Sequence, residues 1–279
     1  MALIFALLLW AIATISTLLF VFRVWWLPEL ASEPMRVIDD QFNLTIIVVG
    51  VAFFLAQVGL GWAIWRYRAR GNERAAYWHE SPKLEATWTV VTAVVFIGLG
   101  LRGNVVWSDL RRSEAPAGAL QVEVTGQQFA WNFRYSGPDG TFGKTDPRAY
   151  DDAANNPIGL LNETGVRKLR RLGVKDVPVD PTTRDDMVVA TMAVPVNRPV
   201  QVLLRSKDVT HAFFIPNMRV KQDAVPGLTI PLNFTPTKTG EYEIACAELC
   251  GMTHYRMKSK LQVLTEPEFE KWLKERQSQ

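Results

Sequence analysis

Three apolar stretches occupy the first 110 residues, and a mixed, alternating pattern fills the rest. Met1 to Phe22 (MALIFALLLWAIATISTLLFVF) carries no charge, and neither does Leu44 to Trp65 (LTIIVVGVAFFLAQVGLGWAIW). The third stretch runs from Ala86 to Leu101 and continues past Arg102 through GNVVW. A helix crosses the hydrocarbon core with about 20 mostly apolar residues. The first two stretches meet that length, and the third meets it if Arg102 reaches the interface. A core helix of a soluble domain keeps a polar face, which these stretches lack. They are read as transmembrane helices. A secretory signal is the alternative reading for the first stretch, and three features count against it. The stretch lacks a basic leading region, its apolar run exceeds the usual length of about 7–15 residues, and no small-residue cleavage site follows closely. The reading is an extra N-terminal transmembrane helix or uncleaved signal anchor over residues 1–27, then a transmembrane hairpin over 42–110.

Orientation follows from the charges between the second and third helices. That short loop carries Arg66, Arg68, Arg70, Arg74 and Lys83, and basic short loops stay in the cytoplasm. The N-terminus is then also inside, and everything after about Asp109 lies outside. The connector between the first two helices, PELASEPMRVIDDQ, is net acidic, which fits the outer side.

From Leu120 the period shortens. LQVEVTGQQFAWNFRY, MVVATMAVPVNRPVQVLLRS, LTIPLNFTPTKTGEYEIAC and RMKSKLQVL mix alternation with β-branched and aromatic residues, separated by Pro, Gly and Asn. Short strands so punctuated predict an all-β sandwich or barrel, here over residues 114–265. A polar stretch over 137–186 is too long for a hairpin loop and reads as an insertion with a small helix around Glu163 to Leu172. Its basic run, RKLRRLGVK, reads as a solvated face. The last segment, 266–279, has acids early and bases late (EPEFEKWLKERQ), the charge order of a short helix.

Charge adds little: a net +3 over 279 residues gives no sign of nucleic-acid binding. Cysteine changes the picture. Both cysteines, one of the three histidines and two of the seven methionines fall within CAELCGMTHYRM, residues 246–257. Cys246, Cys250 and His254 are spaced at i, i+4 and i+8, yet Gly251 and the strand-like flanks favour a loop at a strand end. His211, in SKDVTHAFFIP, lies between two predicted strands and can fold beside them. Three chemistries suit these groups. A Cys246–Cys250 disulfide is possible on an oxidising outer face, but leaves the histidines and Met257 unexplained. A structural zinc site takes two Cys and two His, but does not use Met257. A copper site takes two His, thiolate and a weak axial Met, and the second thiolate would allow two coppers to be bridged. His79, in the basic loop, reads as an ordinary exposed residue.

The segments DVTHAFFIPNMRVKQDAVPG and GEYEIACAELCGMTHYRM carry a His followed by Cys-x-Glu-x-Cys-x-x-x-His-x-x-Met. On these the chain resembles subunit II of the cytochrome c oxidases, over about Phe42 to Trp272. The resemblance implies an α-helical membrane anchor followed by a cupredoxin-like Greek-key domain with the dinuclear copper centre CuA. It places His211, Cys246, Cys250, His254 and Met257 as side-chain ligands and Glu248 as the backbone-carbonyl ligand. It also implies a magnesium at the contact with subunit I, reached by the Glu248 carboxylate. Glu85 and Trp88 in LEATW resemble the acidic start of a family helix where protons are taken up from the cytoplasm; the bland alternative is an acid favoured by the helix dipole. Gln128, Asp208 and Asp223 match polar positions near the copper or the docking face. Phe129 and Trp131 fall in the region where electrons enter.

The resemblance implies an electron-transfer subunit of an oxygen-reducing, proton-translocating oxidase in the bacterial cytoplasmic membrane, with its copper domain outside. Its partners would be the catalytic haem-copper subunit I, other oxidase subunits and a c-type cytochrome donor. A nitric oxide reductase-type complex with a CuA subunit, or a non-redox subunit of a quinol oxidase, are the other readings. Several features depart from the family pattern: the additional first helix, the 137–186 insertion, and Phe129 where a tryptophan is usual. Trp131, two residues on, is expected to share the face of Phe129 if the segment is a strand. No Cys-x-x-Cys-His motif occurs, so no fused c-type haem domain is expected.

Overall fold

A computed structural model gives the structure. It describes residues 1–24, 26–69, 71, 74, 77, 79–111 and 114–277. Arg70, counted above in the basic loop, lies outside the described residues. The chain divides into two compact units, Met1–Leu27 with Val37–Asp109, and Pro28–Arg36 with Leu110–Gln279.

The first unit is helical. Helices α1 (Ala2–Val21), α2 (Arg36–Arg66) and α3 (Pro82–Leu110) are each long and apolar enough to cross a membrane. Helix α1 meets α2 through one large-into-small contact: the Trp10 indole N–H donates to the Val58 carbonyl at 3.2 Å. A Cβ on Gly61 would lie 2.5 Å from Trp10 Nε1, so only glycine leaves that notch open. Ala6 and Ala13, one turn either side of Trp10, are fully buried. Close approach over small residues is how apolar helices gain contact where no hydrophobic effect drives them together. Arg102, the charge inside the third apolar stretch, donates to the Gln41 side-chain oxygen, Oε1, at 2.6 Å.

The second unit is a β-sandwich of ten strands among the described residues. They are β1 (Leu120–Gln127), β2 (Ala130–Tyr135), β3 (Met187–Val189), β4 (Met192–Pro195), β5 (Val200–Ser206), β6 (His211–Ile215), β7 (Val220–Ala224), β8 (Ile230–Phe234), β9 (Gly240–Cys246) and β10 (Lys258–Leu264). One sheet has the order β3-β2-β1-β5-β8 and the other β4-β10-β9-β6-β7. Each sheet takes one parallel pair, β1 with β5 and β4 with β10, so the chain crosses between sheets rather than meandering. Val122, Val124, Phe133, Val202, Leu204, Phe213, Ile244, Leu261 and Val263 form the core. Two residues of β2 tie the sheets together. Trp131 stands edge-on to Phe213 of β6, with centroids 5.3 Å apart. The Tyr135 hydroxyl donates to the Ala193 carbonyl at 2.7 Å and accepts from the Ala193 N–H at 2.8 Å. Burial pushes the Tyr135 hydroxyl well above the usual phenol range, so it remains a donor.

Glu123 and Thr125, on the opposite face of β1, are buried too. Residues 137–186 explain this by covering that face. Arg134 pairs with Glu123 at 2.8 Å and with Asp186 at 2.5 Å, and also donates to the Gly143 carbonyl. Arg205 supplies the second cation to Glu123. Burial raises the Asp186 carboxyl against the opposing pull of Arg134. Within the covering segment, helix α4 (Glu163–Arg171) starts where Asn162 Oδ1 accepts from the Gly165 N–H, and buries Val166 and Leu169. Helix α5 (Glu266–Gln277) opens with the Glu268 carboxylate reaching back to accept from both the Thr265 N–H and the Thr265 hydroxyl, which satisfies a donor at the helix start. It lays Phe269 and Trp272 against Tyr135.

The connector Pro28–Arg36 belongs to the β unit. Ala31 N–H donates to the Asn217 carbonyl, Thr237 N–H donates to the Ala31 carbonyl, and the Ser32 hydroxyl donates to Thr235, each at 2.8 Å.

Candidate metal centre

Strand pairing assembles the site. β9 ends on Cys246, and a loop then turns back through a short 3-10 turn, His254–Arg256, into β10. The loop is closed at its base by Cys246 N–H to the Met257 carbonyl at 3.1 Å, and its Ala247 N–H reaches the Ala212 carbonyl of β6 at 3.0 Å. β6 pairs with β9 through Phe213 opposite Cys246. That register brings His211 beside the cysteines. His211 is the first residue of β6 rather than a residue of the preceding loop.

The donor atoms converge. The two sulfurs lie 3.9 Å apart and both cysteines are free, whereas a disulfide needs about 2.05 Å. His211 Nδ1 is 3.9 Å from Cys246 Sγ, and the Glu248 carbonyl oxygen is 3.2 Å from the same sulfur. His254 Nδ1 is 3.5 Å and Met257 Sδ 3.7 Å from Cys250 Sγ. One sulfur thus has an imidazole and a carbonyl for neighbours, the other an imidazole and a thioether. His211, Cys246 and Cys250 form the metal-capable cluster among the described residues. His211, Cys250 and Met257 are buried, while Cys246 is half-buried and His254 partly exposed. Burial pushes the Cys250 thiol up to about 11, with the neighbouring Cys246 acting in the same direction. A soft metal would displace that proton.

A surrounding layer holds these donors. Asp208 Oδ1 is 2.8 Å from His211 Nε2, which leaves Nδ1 to face the sulfur. Burial would raise the Asp208 carboxyl, but hydrogen bonds from the Gln128 N–H, His211 and the Val209 N–H hold it below its ordinary value. Gln128 also donates its side-chain amide to the Cys250 carbonyl at 2.6 Å. Two glycines supply space. A Cβ on Gly126 would come within 3.0 Å of the His211 and Trp131 rings, and one on Gly251 (φ +144°) would meet Gln128 and Phe129 at 2.9–3.0 Å. Gly251 is visible in the sequence only as a loop marker. Gly126 is a glycine inside a strand pattern, the ordinary signal of close approach.

Other expected residues fall elsewhere. Phe129 is half-buried in the β1–β2 turn, against Gly251. Trp131 does not share an exposed face with it. The strand starts at Ala130, and the Trp131 side chain points into the sandwich at 2% exposure, edge-on to His211. The expectation that Trp131 offers a contact surface is therefore corrected: it is a wall beneath the site. Glu248 is exposed, with its carbonyl turned inward. Asp223 is exposed on β7, opposite Ala212. Glu85 lies in the first turn of α3, in the helical unit.

Comparison with known proteins adds the decisive observation. The profile of the cytochrome c oxidase subunit II transmembrane domain matches residues 23–103, and that of the periplasmic domain matches residues 175–264. The alternative cytochrome c oxidase subunit 2 of Bradyrhizobium diazoefficiens is 34% identical over 98% of this chain and 92% of its own length. The chain belongs to the cytochrome c oxidase subunit II family. The cytochrome c oxidase subunit 2 of Cereibacter sphaeroides is 30% identical over 85% of this chain and 74% of its own. The solved periplasmic domain of subunit II of cytochrome oxidase from Bradyrhizobium japonicum is 25% identical and covers 59% of this chain and 98% of that one, at a TM-score of 0.39. Membership makes the chain part of an oxidoreductase complex, with a helical membrane anchor and a cupredoxin-like periplasmic domain. The family carries CuA, and the donors gathered here suit it: soft sulfur and imidazole around a shared centre.

Proposed function

We propose that the cluster holds two copper ions and that the chain accepts single electrons from a c-type cytochrome, passing them to haem in a catalytic partner subunit where oxygen is reduced. The observation that carries this reading is the pair of unbonded thiols 3.9 Å apart, each with its own imidazole. When bound, the copper pair would supply a one-electron store shared over two metals.

The chain's own residues do the rest. Cys246 and Cys250 would offer thiolates to the two metals, with His211 beside Cys246 and His254 beside Cys250 as imidazole donors. Met257 and the Glu248 carbonyl add weak donors suited to tuning rather than holding. Their elements are pinned by the β6–β9–β10 pairing, so the donors have little room to rearrange with redox state. The loop's outer rim carries Leu249, Met252 and Tyr255, exposed by 80%, 94% and 66%. This apolar rim suits contact with a donor protein. Glu248 presents its carboxylate outward, and a magnesium there would draw its other ligands from subunit I. Glu85, at the start of α3, is the group we assign to proton uptake. The three helices hold the chain in the bacterial cytoplasmic membrane, with the copper domain outside.

The test is single-turnover reduction of the copper-loaded chain in its assembled complex by a reduced c-type cytochrome. The reading expects one electron taken up per chain before haem reduction, and none in the Cys250→Ser complex. Haem reduction at an unchanged rate in that complex would refute it.

A further inference from the structure

The segment 137–186 reaches Lys207, the neighbour of the aspartate that holds His211. Its turn at 151–156 is built rigidly: Asp151 and Asn156 exchange both backbone hydrogen bonds at 2.8–2.9 Å. The buried Asn156 side chain fixes the base of the turn, bonding Ala149, Leu160 N–H and the Leu160 carbonyl. The turn presents Asp152. Both Asp152 oxygens lie 2.8 Å from Lys207 Nζ. Gln127 Oε1 accepts from the same ammonium at 2.9 Å, and the Tyr150 ring stands 5.2 Å from it. Lys207 is thereby only 14% exposed. Its backbone N–H is bonded to the Gly126 carbonyl at 2.9 Å. The next residue is Asp208, whose carboxylate holds His211.

We propose that Asp152 and Lys207 are positioning residues: through them the 137–186 segment braces the β5–β6 loop and so fixes His211 toward the copper. The inference rests on the copper reading above. An exposed ion pair alone contributes little. Here, however, the ammonium is held from three sides, and one end of a three-residue path to a ligand is anchored to a rigid turn. Restraint of this kind acts on ligand orientation, and groups behind metal ligands change metal affinity about 10–100-fold when removed.

The brace and a mere charge effect make different predictions. Asp152→Asn leaves the Lys207 cation uncompensated, which favours the reduced centre and raises the midpoint potential. Lys207→Gln leaves the Asp152 anion uncompensated and lowers it. Only the brace predicts that both substitutions release copper faster. The experiment uses the full-length chain in detergent, loaded with copper, and follows copper loss to an excess chelator, the midpoint potential and the EPR spectrum. We expect severalfold faster loss in Asp152→Asn and in Lys207→Gln, no further acceleration in the double variant, and recovery in Asp152→Glu. Opposite potential shifts with unchanged copper loss would overturn the brace, as would additive effects in the double variant. Failure of the wild-type chain to bind copper would instead refute the metal reading on which the inference stands.

Discussion

At the scale of single residues, the site depends on what stands behind each ligand. Asp208 accepts from His211 Nε2 and is itself fixed by the Gln128 and Val209 N–H groups. Removing the carboxylate frees the imidazole to rotate and to take the other tautomer. Asp208→Ala is expected to lower copper affinity about 10–100-fold while leaving the fold intact. Competition against a chelator of known affinity measures this, and equal affinity would show that the strand alone orients the ring. Gly251 and Gly126 act by what they lack: each leaves room for a ring or an amide that a methyl group would displace.

At the scale of elements, the sandwich is held by a few polar links among apolar contacts. Tyr135 satisfies both backbone groups of Ala193 across the two sheets. In Tyr135→Phe those groups are buried without partners, at a cost of about 1–3 kcal/mol. Urea unfolding of the chain should show this loss at an unchanged denaturant slope, and a smaller loss would mean that water replaces the hydroxyl. Much of this layer was legible in the sequence. α5 spans the predicted segment, and α4 falls where the insertion was expected to be helical. The ligand loop is a loop at a strand end because Gly251 and its flanks say so. What escaped depends on long-range pairing. LQVEVTGQQFAWNFRY reads as one continuous pattern but is two strands, since nothing local marks the turn at Gln128 and Phe129. That turn reverses the facing of Trp131 and buries it. The insertion's hold on Glu123, Arg134 and Arg205 was equally invisible, because a buried ion network reads in sequence as exposed charge.

At the scale of the whole molecule, the segment between α1 and α2 is part of the β unit. The connector Pro28–Arg36 is hydrogen-bonded within the β unit at Asn217, Thr235 and Thr237. The proposed orientation puts the basic loop between α2 and α3 on the opposite, cytoplasmic side, where short basic loops are retained. A protease-cleavage sequence inserted at Gly71 is expected to be cut only in inverted membrane vesicles. Cutting in intact spheroplasts would reverse the orientation.

The central claim is that Cys246 and Cys250 together hold two coppers. Metal stoichiometry and EPR of the copper-loaded full-length chain test it most directly, in the wild type and in Cys250→Ser. The account predicts two coppers per chain with a seven-line mixed-valence pattern in the wild type. In Cys250→Ser, where one thiolate cannot bridge in the same way, it predicts a single copper with a mononuclear spectrum. One copper in the wild type, or two coppers with an unchanged spectrum in Cys250→Ser, would contradict it.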